Sequence, residues 1–247
     1  WGYEGLAETL RTLEAAGLKR AGAGRDALDA RAPAIIHAGA DNRILVFGYS
    51  VESSGVPLEW AADVARPGVR LLPDLGDAAL NEVRSDVMAW RRPGDVVVAS
   101  IHWGGNWGYT IPHAHRRFAH RLIDEASVDV IHGHSSHHPV GVEVHRDRPI
   151  LYGCGDFLND YEGIGGYAEF RGELSLMFLA TIDRESRSLL RLRMVPLRIR
   201  RFRLERASAK DTDHLFDVLA REGQVLGTGV ERDADGLLRL TWGEAVV

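Results

Sequence analysis

Cysteine is nearly absent. Cys154 is the only one in 247 residues, which excludes an internal disulfide and fits a reducing, cytoplasmic setting. No apolar run approaches the ~18 residues of a membrane-spanning helix, and no secretory leader is visible. A surplus of positive charge is also missing: the formal net charge is −5, so nothing general draws the chain to nucleic acid or anionic membrane. Neither GxGxxG nor a Walker loop occurs, so Ala21-Gly22-Ala23-Gly24 reads as a turn and not as a phosphate cradle. An initiating Met is lacking, and Trp1-Gly2-Tyr3-Glu4 leads straight into a helix. An α/β sheet normally begins with its own strand. The sequence therefore reads as the later part of a longer chain, with any signal or anchor outside it.

What remains is ordinary globular composition, 45% hydrophobic and 26% charged, enough for one domain with a buried core. We expect a single domain over 1–247, with about 174–247 as an appended subregion. Leu6, Leu10, Leu13 and Ala16 recur on one helical face before Gly17. A short helix over 25–32 precedes a hairpin from Ala34-Ile35-Ile36-His37 through Asp41-Asn42 to Ile44-Leu45-Val46-Phe47. His37 reads as a strand-edge residue. Residues 50–73 predict a long irregular cover. Leu80, Val83, Val87 and Trp90 mark a helix ending before Pro93-Gly94, and Phe118, Ala119, Leu122, Ile123 and Ala126 mark another. Hairpins are expected around Asp147-Arg148 and Asp235-Gly236, strands over 174–183 and 188–199, and a last helix from Asp211. Arginines 198, 200, 201, 203 and 206 could bind an anion, but their alternation reads as a solvated strand face.

The chemistry concentrates between Asp95 and Asp160. Eight of the eleven histidines fall between His102 and His138. One segment, Ile101-His102-Trp103-Gly104-Gly105-Asn106-Trp107-Gly108-Tyr109, follows the β-branched run Val96-Val97-Val98. The other, His132-Gly133-His134-Ser135-Ser136-His137-His138, follows Val128-Asp129-Val130-Ile131. A helical pattern separates them. This strand, helix, strand order places histidines just past both strand ends, where open parallel sheets put ligands. Imidazole suits both proton transfer near neutral pH and binding of zinc, iron or manganese. Asp156 and Asp160 follow a further strand end at Leu151-Tyr152 and could supply carboxylate partners.

The order HWG, then GHxxH, then a YxxGxF-like segment resembles the CapA proteins, named for poly-γ-glutamate capsule synthesis. Gly2-Tyr3-Glu4-Gly5-Leu6 through Gly22-Ala23-Gly24 is similar to that family's opening stretch. The resemblance covers nearly the whole chain. It implies an α/β, calcineurin-like metallophosphoesterase fold, with layered sheets flanked by helices, lacking its N-terminal part here, and a bacterial source. The family's GHHPH stands here as Gly133-His134-Ser135-Ser136-His137, and its GNF as Gly155-Asp156-Phe157, an amide exchanged for a carboxylate. The Gly-Asp strand end and Asn-Asn-His segment that carry the first metal ligands of calcineurin-like enzymes have no counterpart in this sequence.

Two catalytic chemistries and one non-catalytic role follow. In the first, His102, His134, His137 and Asp156 perform acid/base work on a peptide without metal. Its most specific form is Cα epimerisation, as the resemblance to relatives in lasso-peptide maturation implies. In the second, the resemblance implies a metal-dependent phosphoesterase or hydrolase, with His102, His134 and His137 holding zinc, manganese or iron. The third role is a non-catalytic assembly factor that binds polyglutamate. Trp103, Asn106, Trp107, Tyr109 and Asp160 are the candidate substrate contacts, and the expected partner is a peptide or polyglutamate-like chain, not nucleic acid or membrane.

Overall fold

A computed structural model describes residues 1–39, 42–159, 164 and 166–243. The chain divides into two compact units. The first comprises Trp1–Gly104 and Pro112–Ile131, the second Gly105–Ile111 and His132–Val247. Both mix helix and sheet. Among the described residues no helix is long and apolar enough to cross a membrane.

The first unit begins with α1 (Gly2–Ala15), and the predicted Gly17 beyond it takes φ +70. Next come β1 (Ala23–Gly24), α2 (Ala27–Arg31), β2 (Ala34–His37) and β3 (Arg43–Val51). β2 lies antiparallel to β3 as the sequence predicts, although Asp41 of its connection falls outside the described residues. Residues 50–73 are less irregular than expected. They hold two single-turn 3-10 helices and the short strands β4 (Gly68–Val69) and β5 (Leu71–Leu72); β4 pairs with β1 and β5 with β3. α3 (Asp77–Trp90) then leads to β6 (Val96–His102), which runs parallel to β3 and sets His102 opposite Ser50. Along β6, Val97, Ala99 and Ile101 are buried while the residues between them are only partly so, the two-residue period of a strand. α4 (His113–Ala126) buries Phe118, Ala119 and Leu122 and ends in the left-handed Ser127. β7 (Val130–His134) carries the chain into the second unit. The histidines thus sit earlier than the sequence suggests: His102 closes β6, and His132 and His134 lie inside β7.

In the second unit β8 (Val142–His145) and β9 (Arg148–Leu151) form a hairpin. Its tight turn is Arg146-Asp147, both at positive φ, one residue before the expected pair. The long strands β10 (Leu174–Ile182) and β11 (Leu189–Arg200) pair antiparallel, and β11 turns back into β12 (Arg203–Arg206). α5 (Ala209–Leu226) opens on Ser208, whose side chain accepts the Asp211 amide, two residues before the predicted start. β13 (Thr228–Arg232) and β14 (Leu238–Trp242) close the chain as a hairpin, with β14 also against β11. Leu174, Leu176, Leu192, Met194, Leu215, Leu219, Leu238 and Leu240 form the core between this sheet and α5. Cys154 belongs to the same core, where burial pushes its thiol pKa up to about 12 and leaves it inert.

Candidate functional site

Two loops of the second unit are drawn together by main-chain bonds. Residues 133–140 continue from β7, and residues 153–156 continue from β9. The Cys154 amide donates to Gly133 O at 3.1 Å and the Val140 amide to Gly153 O at 2.9 Å. Contact this close requires glycine at 153, since a Cβ there would lie 2.3 Å from Ser136 Oγ and 2.8 Å from Val140 Cγ2. Ser135, inside the histidine loop, is held at φ +144, a strained value for a residue with a side chain. Gly153→Ala is expected to destabilise the protein by about 1–3 kcal/mol through overpacking, read as a fall in the urea unfolding midpoint.

This crossing delivers Asp156 to His137. The His137 Nδ1 lies 3.1 and 3.0 Å from the two Asp156 carboxylate oxygens. A carboxylate only accepts, so Nδ1–H donates, and in the neutral form of the ring this leaves the lone pair on Nε2. Asp156 is itself oriented: Asn159 Nδ2 donates to its Oδ2 at 2.9 Å, and the Ser175 hydroxyl donates to its main-chain oxygen. A base held in one tautomer by an oriented carboxylate is the arrangement general acid/base catalysis needs.

Residues 105–111 buttress the histidine loop. The His137 amide donates to Asn106 O at 3.0 Å, and Ser135 Oγ to Asn106 Oδ1 at 3.4 Å. Trp107 lies tilted against the His137 ring at 5.2 Å and stacks on Tyr167 at 4.4 Å. His138 is fully buried, stacked on Phe170 and edge-on to Tyr109. Both its ring nitrogens are satisfied only when it is neutral: Nδ1 donates to Pro139 O at 3.1 Å, and Nε2 accepts the Gly108 amide at 3.2 Å. Burial accordingly depresses its pKa, as it does for His102, His115 and His132. Between the folded and unfolded pKa values the unfolded chain binds the extra protons, so stability falls as pH drops below the ordinary histidine value of about 6.5. Unfolding midpoints measured from pH 7.5 down to 5 should decrease steadily over this window.

His137 and Asp156 open onto a cleft of about 350 Å³, also lined by Trp107, Asn159, Tyr167, Gly172, Glu173, Arg198 and Arg200. Glu173 is held by Arg171 at 2.6 Å, and Arg198 reaches Asp211 at 3.5 Å through Nη1. Among the described residues, two polar atoms of the cleft are buried without a partner, the Nε of Arg198, a donor, and the Oδ1 of Asn159, an acceptor. A ligand offering an anionic oxygen and an N–H would satisfy both.

The remaining candidates lie elsewhere. Trp103 is 3% exposed and stacks on His115 at 4.8 Å in the first unit, leaving little surface for a ligand. Asn106 supports the His137 loop, and Tyr109 packs beneath Arg221 at 4.5 Å; neither lines the cleft. His134 belongs to the second unit beside His132, their rings 5.6 Å apart, whereas His102 belongs to the first. Asp160 falls outside the described residues. Arg198 and Arg200, read from sequence as a solvated face, line the cleft, and Asn159 and Tyr167 carried no sequence signal at all. Among the described residues no group of three or more His, Cys, Asp or Glu side chains is placed to hold a metal ion.

The family described as "Bacterial capsule synthesis protein PGA_cap" matches residues 1–161, a stretch that contains both His137 and Asp156. A Mycobacterium tuberculosis protein named "Probable polyglutamine synthesis accessory protein" is 46% identical over 241 residues, 97% of this chain and 63% of that protein. The Bacillus subtilis "PGA biosynthesis protein CapA" is 26% identical over 162 residues, 65% of this chain and 40% of its own length. The chain therefore spans less than two thirds of either relative.

Proposed function

Because the chain belongs to the bacterial capsule synthesis family PGA_cap, we propose that its second unit takes a polyglutamyl peptide into the cleft and moves a proton on it. One observation carries this reading: an oriented His137–Asp156 pair shares a cleft with two arginines and an aromatic wall. The names of the relatives, polyglutamine synthesis and PGA biosynthesis, support a glutamine- or glutamate-type polypeptide as the ligand, and the two cleft arginines favour the acidic one. The mixed α/β architecture is compatible with a calcineurin-like metallophosphoesterase scaffold put to metal-free use.

In the epimerisation we favour, His137 Nε2 takes the Cα proton of a glutamyl residue. The C–H bond breaks, an N–H bond forms, and the electron pair passes into the adjacent carbonyl as an enolate. Asp156 stabilises the imidazolium that results. A water molecule on the opposite face that gives its proton to Cα inverts the centre, and the hydroxide left behind is neutralised by the proton on His137; return of the proton from His137 itself only exchanges it. Arg198 and Arg200 hold the side-chain carboxylate, and Trp107 with Tyr167 forms the apolar wall beside the reacting carbon.

Incubation of an oligo-L-glutamate with the purified protein in D₂O tests this reading. Deuterium at Cα together with D-glutamyl residues after acid hydrolysis is the expected result, and it should persist after chelator treatment. Chain shortening without deuterium, abolished by chelator, would point to the hydrolase instead. Binding with neither change would leave an accessory role of the kind named for the mycobacterial relative.

A further inference from the structure

The hairpin of β11 and β12 carries several guanidinium groups, of which the chemistry above uses only Arg198 and Arg200. Residues 198–206 read Arg-Ile-Arg-Arg-Phe-Arg-Leu-Glu-Arg, five arginines against one glutamate in a chain whose net charge is −5. Arg198 and Arg200 line the cleft; the strand register sets Glu205 opposite Arg198, Arg206 opposite Leu197 on the other face, and Arg203 directly opposite Arg200. Like charges in that position repel and weaken the pairing. In the same unit Arg171, Arg193, Arg232 and Arg239 each hold a carboxylate, as Arg198 holds Asp211. Among the described residues, Arg200, Arg201, Arg203 and Arg206 take part in no ion pair. The turn between the strands is Arg201-Phe202, both in the left-handed region at φ +50 and +57, where asparagine and glycine would be unstrained. Uncompensated charge and a strained turn in one hairpin call for a ligand that neutralises the row.

We propose that this hairpin is a second binding surface, a cationic track on which an acidic polypeptide lies after leaving the cleft. Continuity selects this partner, because two arginines belong at once to the cleft wall and to the row. The cleft is far too narrow for duplex nucleic acid, and the net charge disfavours long-range attraction to nucleic acid or anionic lipid. An extended polyglutamyl chain instead repeats its carboxylates at the spacing of a strand, so each added residue brings another charge to the track. The inference rests on the cleft taking a polyglutamyl peptide, and it adds that affinity grows with chain length.

Anisotropy of labelled oligo-L-glutamates of three and twelve residues tests it with the full chain. The twelve-residue peptide should bind at least tenfold more tightly at low salt, with the advantage shrinking as salt screens the row. Arg201→Gln/Arg203→Gln, both at exposed positions, should bring the longer peptide down to the affinity of the shorter, whereas Arg201→Lys/Arg203→Lys should keep most of the gain. Unfolding midpoints of both variants should match that of the parent. Equal affinity for the two lengths, or a gain that survives the Gln pair, overturns the track and leaves the cleft reading intact. Failure to bind at either length overturns the cleft reading itself. Equal or tighter binding of a single-stranded oligonucleotide, or of vesicles rich in anionic phospholipid, overturns the choice of partner.

Discussion

His137→Gln should reduce proton exchange at the glutamyl Cα by about 10²–10⁴-fold, the range that a positioned general acid/base group contributes. The glutamine side chain keeps a donor for Asp156 but offers no nitrogen that can take a proton. Asp156→Asn should fall within the same range for a different reason. An amide can donate as well as accept, so it no longer forces the proton onto Nδ1, and it cannot stabilise an imidazolium. Because the two act as one unit, the double variant should be little worse than either single one. Multiplication of the two losses would show that the residues act independently. If turnover survives in both single variants while their unfolding midpoints are unchanged, the pair is removed from the mechanism.

The largest stability effect is expected far from this chemistry. Asp86, on α3, is 2% exposed and accepts from Arg31 Nε at 2.5 Å and from Arg70 at 3.0 and 2.9 Å. It ties α2 and the strand-rich segment around Arg70 to that helix. Asp86→Ala would remove the carboxylate shared by Arg31, whose side chain is 40% exposed, and Arg70, which keeps only Glu82, at a cost of about 2–3 kcal/mol, less than for a fully buried pair because solvent reaches Arg31. Against a typical total of about 5–15 kcal/mol that is a large fraction. Chemical denaturation should show it directly. Asp86→Leu tests the cause, since an apolar filler of similar bulk should rescue little if the unpaired arginines are responsible.

Much of this layout is legible in order along the chain. Period and punctuation gave nearly every helix and strand, because each is set by neighbours a few residues away. One further inference was within reach. Val97, Ala99, Ile101 and Trp103 share a parity, so a strand burying the first three buries the indole too, and the structure finds Trp103 in the interior. Trp107, four residues on and past the strand, escapes that rule and lines the cleft.

The site itself divides along the same line. The residue types alone determined where to look, at clustered histidines and a following carboxylate, since only imidazole has an ordinary pKa near neutral pH and so many clustered rings demand partners. Which histidine meets which carboxylate was decided by tertiary structure. The pairing of His137 with Asp156 depends on two loops approaching within contact distance of a glycine, and that approach is set by the β8–β9 hairpin between them. Arg198 and Arg200 were likewise ambiguous, because alternation along a strand says which side chains share a face but not what lies over it. Only the packed sheet, with Tyr167 and Gly172 brought opposite β11, turned a row of arginines into the wall of a cleft.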